Sequence, residues 1–127
     1  MRIMLILLLI LPGLAVAQDA GRDDYRLACG GCHGADATGD GLRAQKKGFS
    51  APDLTGLSQS NGGNFPRERM RALIDGRSGQ RGHGYPMPVW GDRFRALSGH
   101  KTGTPEAEAE VKARIDGILD YLQRVQR

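Results

Sequence analysis

Cysteine and large aromatic side chains are both scarce in this chain. Two cysteines in 127 residues, Cys29 and Cys32, are too few for the disulfide scaffolds that hold many small exported domains. Aromatics make up 6% of the residues and tryptophan occurs once, against 19 glycines, so the chain is rich in loops and poor in side chains that fill a core. A domain this small gains little from burial alone, and a metal, a cofactor or another non-protein core commonly makes up the deficit. An excess of one charge is also missing. The 18 basic and 14 acidic side chains give a formal +4, too balanced for a nucleic-acid-binding surface. No internal repeat, low-complexity tract or sustained strand-like alternation is present, so the expected fold class is all-α.

A hydrophobic run long enough to span a bilayer is missing too. The longest, residues 3–11, falls short of the roughly 20 apolar residues a spanning helix needs. Arg2 before it, Pro12-Gly13 after it and Ala15-Val16-Ala17 beyond have the order of a secretory signal peptide cleaved after Ala17. The expected organisation is therefore a signal peptide over residues 1–17 and one domain over residues 18–127, monomeric, delivered to the periplasm without stable membrane insertion.

Residues 19–29 have helical spacing, with Asp19 as a candidate N-cap and Tyr25, Ala28, Cys29 and Cys32 along one side. Residues 34–64 are dominated by Gly, Ser, Asp, Asn, Lys and Thr and predict loop, with one short turn over residues 42–46. Pro66 fits the first position of a helix with Met70, Leu73 and Ile74 on one face, stopped by Gly76 near Asp75. Residues 76–91 predict a second long loop containing Tyr85-Pro86-Met87-Pro88-Val89-Trp90, in which two prolines bracket a methionine and hold it rigidly. The last segment opens with Thr104 as N-cap, Pro105 and Glu106. Val111, Ile115, Ile118, Leu119, Leu122 and Val125 then form one apolar stripe.

Cys29-Gly30-Gly31-Cys32-His33 is the most specific signal, because C-x-x-C-H is the attachment site of a c-type haem. Two thiols three positions apart at a helix end reach two vinyl groups on one porphyrin edge, and the next residue aims an imidazole at the iron. A structural disulfide, a thioredoxin-like redox pair and half of a zinc site compete for the same residues. The disulfide leaves His33 unexplained. The redox pair wants a βαβ pattern, and zinc wants further ligands where only His83 and His100 remain, far apart.

On these residues the chain resembles the class I cytochromes c, over most of residues 18–127. The resemblance implies several short helices and long loops wrapped around one haem, with the N- and C-terminal helices crossing; Gly21 or Ala28 and Leu119 or Tyr121 are the candidates for that crossing. It implies Tyr25 as an aromatic near the haem. It also implies Ala51-Pro52-Asp53-Leu54-Thr55-Gly56 as the segment whose Pro52 carbonyl orients His33 and fixes its tautomer. Met87-Pro88-Val89-Trp90-Gly91 is similar to the family's methionine-ligand loop, so His33 and Met87 are the expected axial ligands, with His83, His100 and Met70 as rivals. Tyr85 and Trp90 are expected to line the haem crevice, with Arg77 and Arg81 as propionate or partner contacts.

The implied function is one-electron transfer by a covalently bound haem c, not substrate turnover. Redox partner proteins would dock on a basic face that includes Arg43, Lys46, Lys47, Arg77 and Arg81. Two other expectations remain open: a subunit held permanently in a periplasmic dehydrogenase or oxidase complex, and a haem-based sensor of small ligands.

Overall fold

A computed structural model describes residues 13–80 and 87–127, with side chains from residue 20 onward. Among these residues every regular element is helical: α1 (Gly13–Ala28), α2 (Gly30–His33), α3 (Leu42–Lys46), a 3₁₀ turn (Gln59–Asn61), α4 (Arg67–Asp75), α5 (Trp90–Leu97) and α6 (Pro105–Arg124). None of these helices is long and apolar enough to cross a membrane.

The C-terminal helix organises the rest. Thr104 accepts a hydrogen bond from the Ala107 N–H at 3.3 Å, Pro105 takes the first turn where its missing N–H costs nothing, and Glu106 and Glu108 complement the helix dipole. Val111, Ile115, Ile118, Leu119 and Leu122 are all 1% exposed or less, so the predicted stripe is the spine of the core. Burying each contributes about 1.5–3 kcal/mol relative to exposure. Val125, counted as part of that stripe, lies just past the last turn and is only partly buried.

Helix α1 crosses α6 where two glycines meet. A Cβ built on Gly21 would lie 2.6 Å from the carbonyl carbon of Gly117 and 2.9 Å from its Cα, closer than real Cβ atoms approach. Gly21 was a candidate for this crossing; on α6 the close approach falls at Gly117 rather than at Leu119 or Tyr121. Tyr121 packs further along, its ring 4.7 Å from that of Tyr25. The ion pair of Arg114 with Asp24 at 2.6 Å also ties α6 to α1, and the Arg114 guanidinium lies 4.5 Å above the Phe94 ring, which brings in α5.

Three features differ from expectation. Helix α1 begins at Gly13 and runs through Asp19, which is therefore not its N-cap. Leu14-Ala15-Val16-Ala17 contains good helix formers and nothing that stops a helix. Helix α5 lies in a stretch with too few apolar residues to show a period. It forms around buried Phe94, stacked on Trp90 at 5.5 Å. Helix α4 ends as expected, with Gly76 at φ 68° donating its N–H to the Ala72 carbonyl. Pro66 precedes its first turn as the cap rather than occupying it.

Candidate functional site

The turn from α1 into α2 carries the CGGCH motif. The Cys29 carbonyl accepts from the Cys32 N–H at 3.1 Å and the His33 N–H at 2.9 Å, which winds the pentapeptide into helical turns. Cys29 and His33 are buried, at 8% and 7% exposure, while Cys32 is half-buried; the two thiols are not joined to each other. Burial, helped by the charge of Asp24, pushes the Cys29 thiol up to about 12. That is the reverse of the lowered thiol of a thioredoxin-like nucleophile.

Tyr25, one turn before Cys29, is fully buried and donates its hydroxyl to the Gly34 carbonyl at 2.9 Å, clamping the end of the motif. Burial pushes its phenol well above the usual range, so it stays neutral.

A second strand of chain is then brought against His33. The Leu54 N–H donates to the Ala37 carbonyl at 2.8 Å, and the Gly39 N–H to the His33 carbonyl at 2.8 Å. Gly39, at φ 85°, allows the two loops to touch: a Cβ there would sit 2.6 Å from the Ala51 carbonyl oxygen. Ala37 takes a positive φ of 65° without being glycine, a strained choice made in a fully buried position. The far end of this loop is held by the C-terminal tail, where Gln126 donates to the Leu54 carbonyl at 2.8 Å and accepts from the Ser58 N–H at 2.8 Å.

These contacts set the Pro52 carbonyl 3.1 Å from His33 Nδ1. A carbonyl only accepts, so Nδ1 carries the proton, and in the neutral ring the basic lone pair belongs to Nε2. The relation expected between Pro52 and His33 is thus present. Gln126, Gly39 and Ala37, none of them singled out from the sequence, are what hold it.

His33 lines a largely apolar cavity of about 290 Å³. Tyr25, Cys29 and His33 form one wall, and Pro52, Leu54 and Leu57 another; Met70, Leu73 and Ile74 of α4, Met87 and Leu122 close it, with Asp53, Ser60, Asn61 and Arg69 as its polar members. Its size is at the small end of cofactor sites. The expected ligands His33 and Met87 thus share one cavity with the Cys29 thiol. An imidazole nitrogen and a thioether sulfur on an apolar cavity form a donor set that fits a haem iron, and a wall thiol fits covalent attachment.

Other expected site residues fall differently. Trp90 does not line the cavity: it opens α5, stacks on Phe94 and carries the Arg93 guanidinium over its ring at 5.2 Å. Cys32 is not among the lining residues either. Tyr85, His83 and Arg81 lie outside the described residues. Met70 is buried on the core face of α4, as expected, and that face is also a cavity wall. His100 is exposed in the loop before α6. Arg77 is bound to Asp75 through Nε and to Glu108 at 2.7 Å, so two acids already hold the cation expected to meet a propionate or partner. Arg43, Lys46 and Lys47 are exposed on and beside α3, with the Arg43 guanidinium against Gly31 of the motif.

Among the described residues no three His, Cys, Asp or Glu side chains gather as a metal site. No family model, curated protein or solved structure matches the chain.

Proposed function

We propose that this chain is an exported, single-haem c-type cytochrome that carries electrons one at a time between partner proteins. The observation that carries the reading is the pairing of His33 Nδ1 with the Pro52 carbonyl at 3.1 Å on the wall of a cavity that Met87 and Cys29 also line. A protonated Nδ1 directs the Nε2 lone pair to metal, the usual arrangement behind a ligating histidine. Cys29 and Cys32 would hold the porphyrin edge through two thioethers, each formed by adding S–H across a vinyl double bond. A bound haem would supply reversible one-electron exchange, with the Met87 sulfur favouring the ferrous state.

The chain's own residues would do the rest. His33 and Met87 would both hold the iron and leave it no open position, so substrate turnover at the metal is not expected. The buried apolar wall of Leu54, Met70, Ile74 and Leu122 keeps water from the cavity floor. Exposed Arg43, Lys46 and Lys47 next to the motif present positive charge to an acidic redox partner, in a brief encounter weakened by salt. Residues 1–17 would direct the chain to the periplasm and be removed there.

The test is the absorption spectrum of the protein expressed with its leader in a host that matures c-type cytochromes. The alkaline pyridine spectrum of haem c is expected, together with the weak red band of iron bound to methionine sulfur. Replacing Met87, but not His83, should abolish that band. Loss of the band on replacing His83 alone, or carbon monoxide binding to the reduced wild-type protein at neutral pH, would refute the ligand assignment.

A further inference from the structure

We infer that Arg69 anchors a carboxylate group of the molecule that fills the cavity, which under the haem reading above means a propionate. Helix α4 carries arginines at positions 67, 69 and 71. At about 100° per residue the first and third fall near one another on one face, and the middle one falls on the opposite side. The outer two are matched by acids: Arg67 pairs with Asp120 at 2.7 Å, and Arg71 pairs with Glu68 at 3.2 Å and also with Asp116. Arg69, exposed at the edge of the cavity, has no hydrogen-bond or ion-pair partner among the described residues, and it is the one Arg or Lys among the described residues that line the cavity.

The charges around it give the site a direction. Asn61 lines the same cavity and donates to the Asn64 carbonyl at 2.9 Å, so its amide has a second N–H to offer to an occupant. The one acid among the described wall residues, Asp53, has its Oδ1 bound by the Thr55 N–H at 2.7 Å and the Thr55 hydroxyl at 2.6 Å, which fixes an anion at that place. A carboxylate on the occupant is repelled by Asp53 and attracted by Arg69, whose planar fork can take both carboxylate oxygens. The apolar body of the occupant then lies against Leu54 and the C-terminal half of α4, Leu73 and Ile74, and its acidic edge turns to the N-terminal half, where Arg69 stands. The propionate role expected for Arg77 passes to Arg69, because Asp75 and Glu108 already hold Arg77.

The test measures the midpoint potential of the haem-loaded protein and its Arg69→Gln and Arg69→Lys variants by spectroelectrochemical titration. Reduction adds negative charge beside the guanidinium. Arg69→Gln should therefore make reduction at least about threefold less favourable, a fall of roughly 28 mV at 59 mV per tenfold. Arg69→Lys should restore most of that shift by keeping the charge.

The shift should also persist at about 1 M salt, where the Debye length is only about 3 Å, because a contact pair is screened little. An unchanged potential in haem-loaded Arg69→Gln, a lysine variant no better than glutamine, or a shift that salt erases each overturns the inference and leaves the cytochrome reading standing. A wild-type chain that carries no haem overturns both.

Discussion

The crossing of α1 on α6 gives a prediction with opposite expectations for two neighbouring glycines. In Gly21→Ala the new Cβ falls against the Gly117 peptide, 2.6 Å from its carbonyl carbon and 2.9 Å from its Cα. Those are backbone atoms of a buried helix, so the helices must part and the packing of Tyr25 against Tyr121 loosens. Overpacking of this kind costs about 1–3 kcal/mol, and the upper end applies where no side chain can swing away. Alanine returns about 1 kcal/mol of helix propensity, so the net loss is about 2 kcal/mol.

In Gly117→Ala the nearest foreign atom is Gly21 Cα at 3.1 Å, a contact relieved by a few tenths of an ångström. There the propensity gain nearly cancels the strain, and stability should stay within about 0.5 kcal/mol of wild type. For a domain near 100 residues, about 2 kcal/mol corresponds to a fall in Tm of roughly 8–16 °C. Urea and thermal unfolding followed by helical circular dichroism on the purified protein would measure both. A Gly21→Ala protein as stable as wild type, or a Gly117→Ala protein less stable than Gly21→Ala, would refute the crossing.

Three further outcomes are expected. Tyr25→Phe should lose about 0.5–1.5 kcal/mol in urea unfolding, because the Gly34 carbonyl gives up the hydroxyl 2.9 Å away and keeps only the longer bond from the Ala37 N–H at 3.3 Å; a loss below about 0.3 kcal/mol would show the hydroxyl's bond to be dispensable. Thr104→Ala should lose about 1 kcal/mol with the N-cap of α6, and Thr104→Gly distinctly less; equal losses would contradict the capping role.

The third concerns acid. The Arg77 guanidinium holds the Asp75 and Glu108 carboxyls below their usual range, so the unfolded chain binds protons more readily and their stabilisation is complete above the ordinary carboxylate pKa values. It is lost as pH falls through the lowered folded values. The stability gap between wild type and Arg77→Gln should therefore be widest near neutrality and narrow steadily as pH falls below the ordinary carboxylate range. A gap constant from pH 7 to pH 3 would contradict the linkage.

What the residues disclosed in advance follows from the range of the forces involved. The CGGCH turn, the Thr104-Pro105 cap, the Gly76 stop and the stripe from Val111 to Leu122 are local signals, each governed by neighbours within a turn or two, and the helices they predict are present. The short turn over 42–46 appears as α3. Helix α5 was not legible: Trp90 and Phe94 are a single i, i+4 pair, and the cation over the Phe94 ring is Arg114, distant in sequence.

The site divides in the same way. His33 and Met87 could be named from their immediate sequence, and Pro52 by resemblance. The loop that brings Pro52 to His33 depends on Gln126 and on a strained Ala37, for which no local pattern exists. Helical phase sets Arg69 apart from Arg67 and Arg71, but the sequence does not say what either face meets. The acids of α6 on one side and the cavity on the other separate them.

The central claim is covalent attachment at Cys29 and Cys32, and mass spectrometry of authentic exported protein tests it most directly. The intact mass should exceed that of the polypeptide by one haem, and after proteolysis the extra mass should stay on the peptide containing both cysteines. Bare polypeptide, or a peptide whose only modification is a bond between Cys29 and Cys32, would contradict the account.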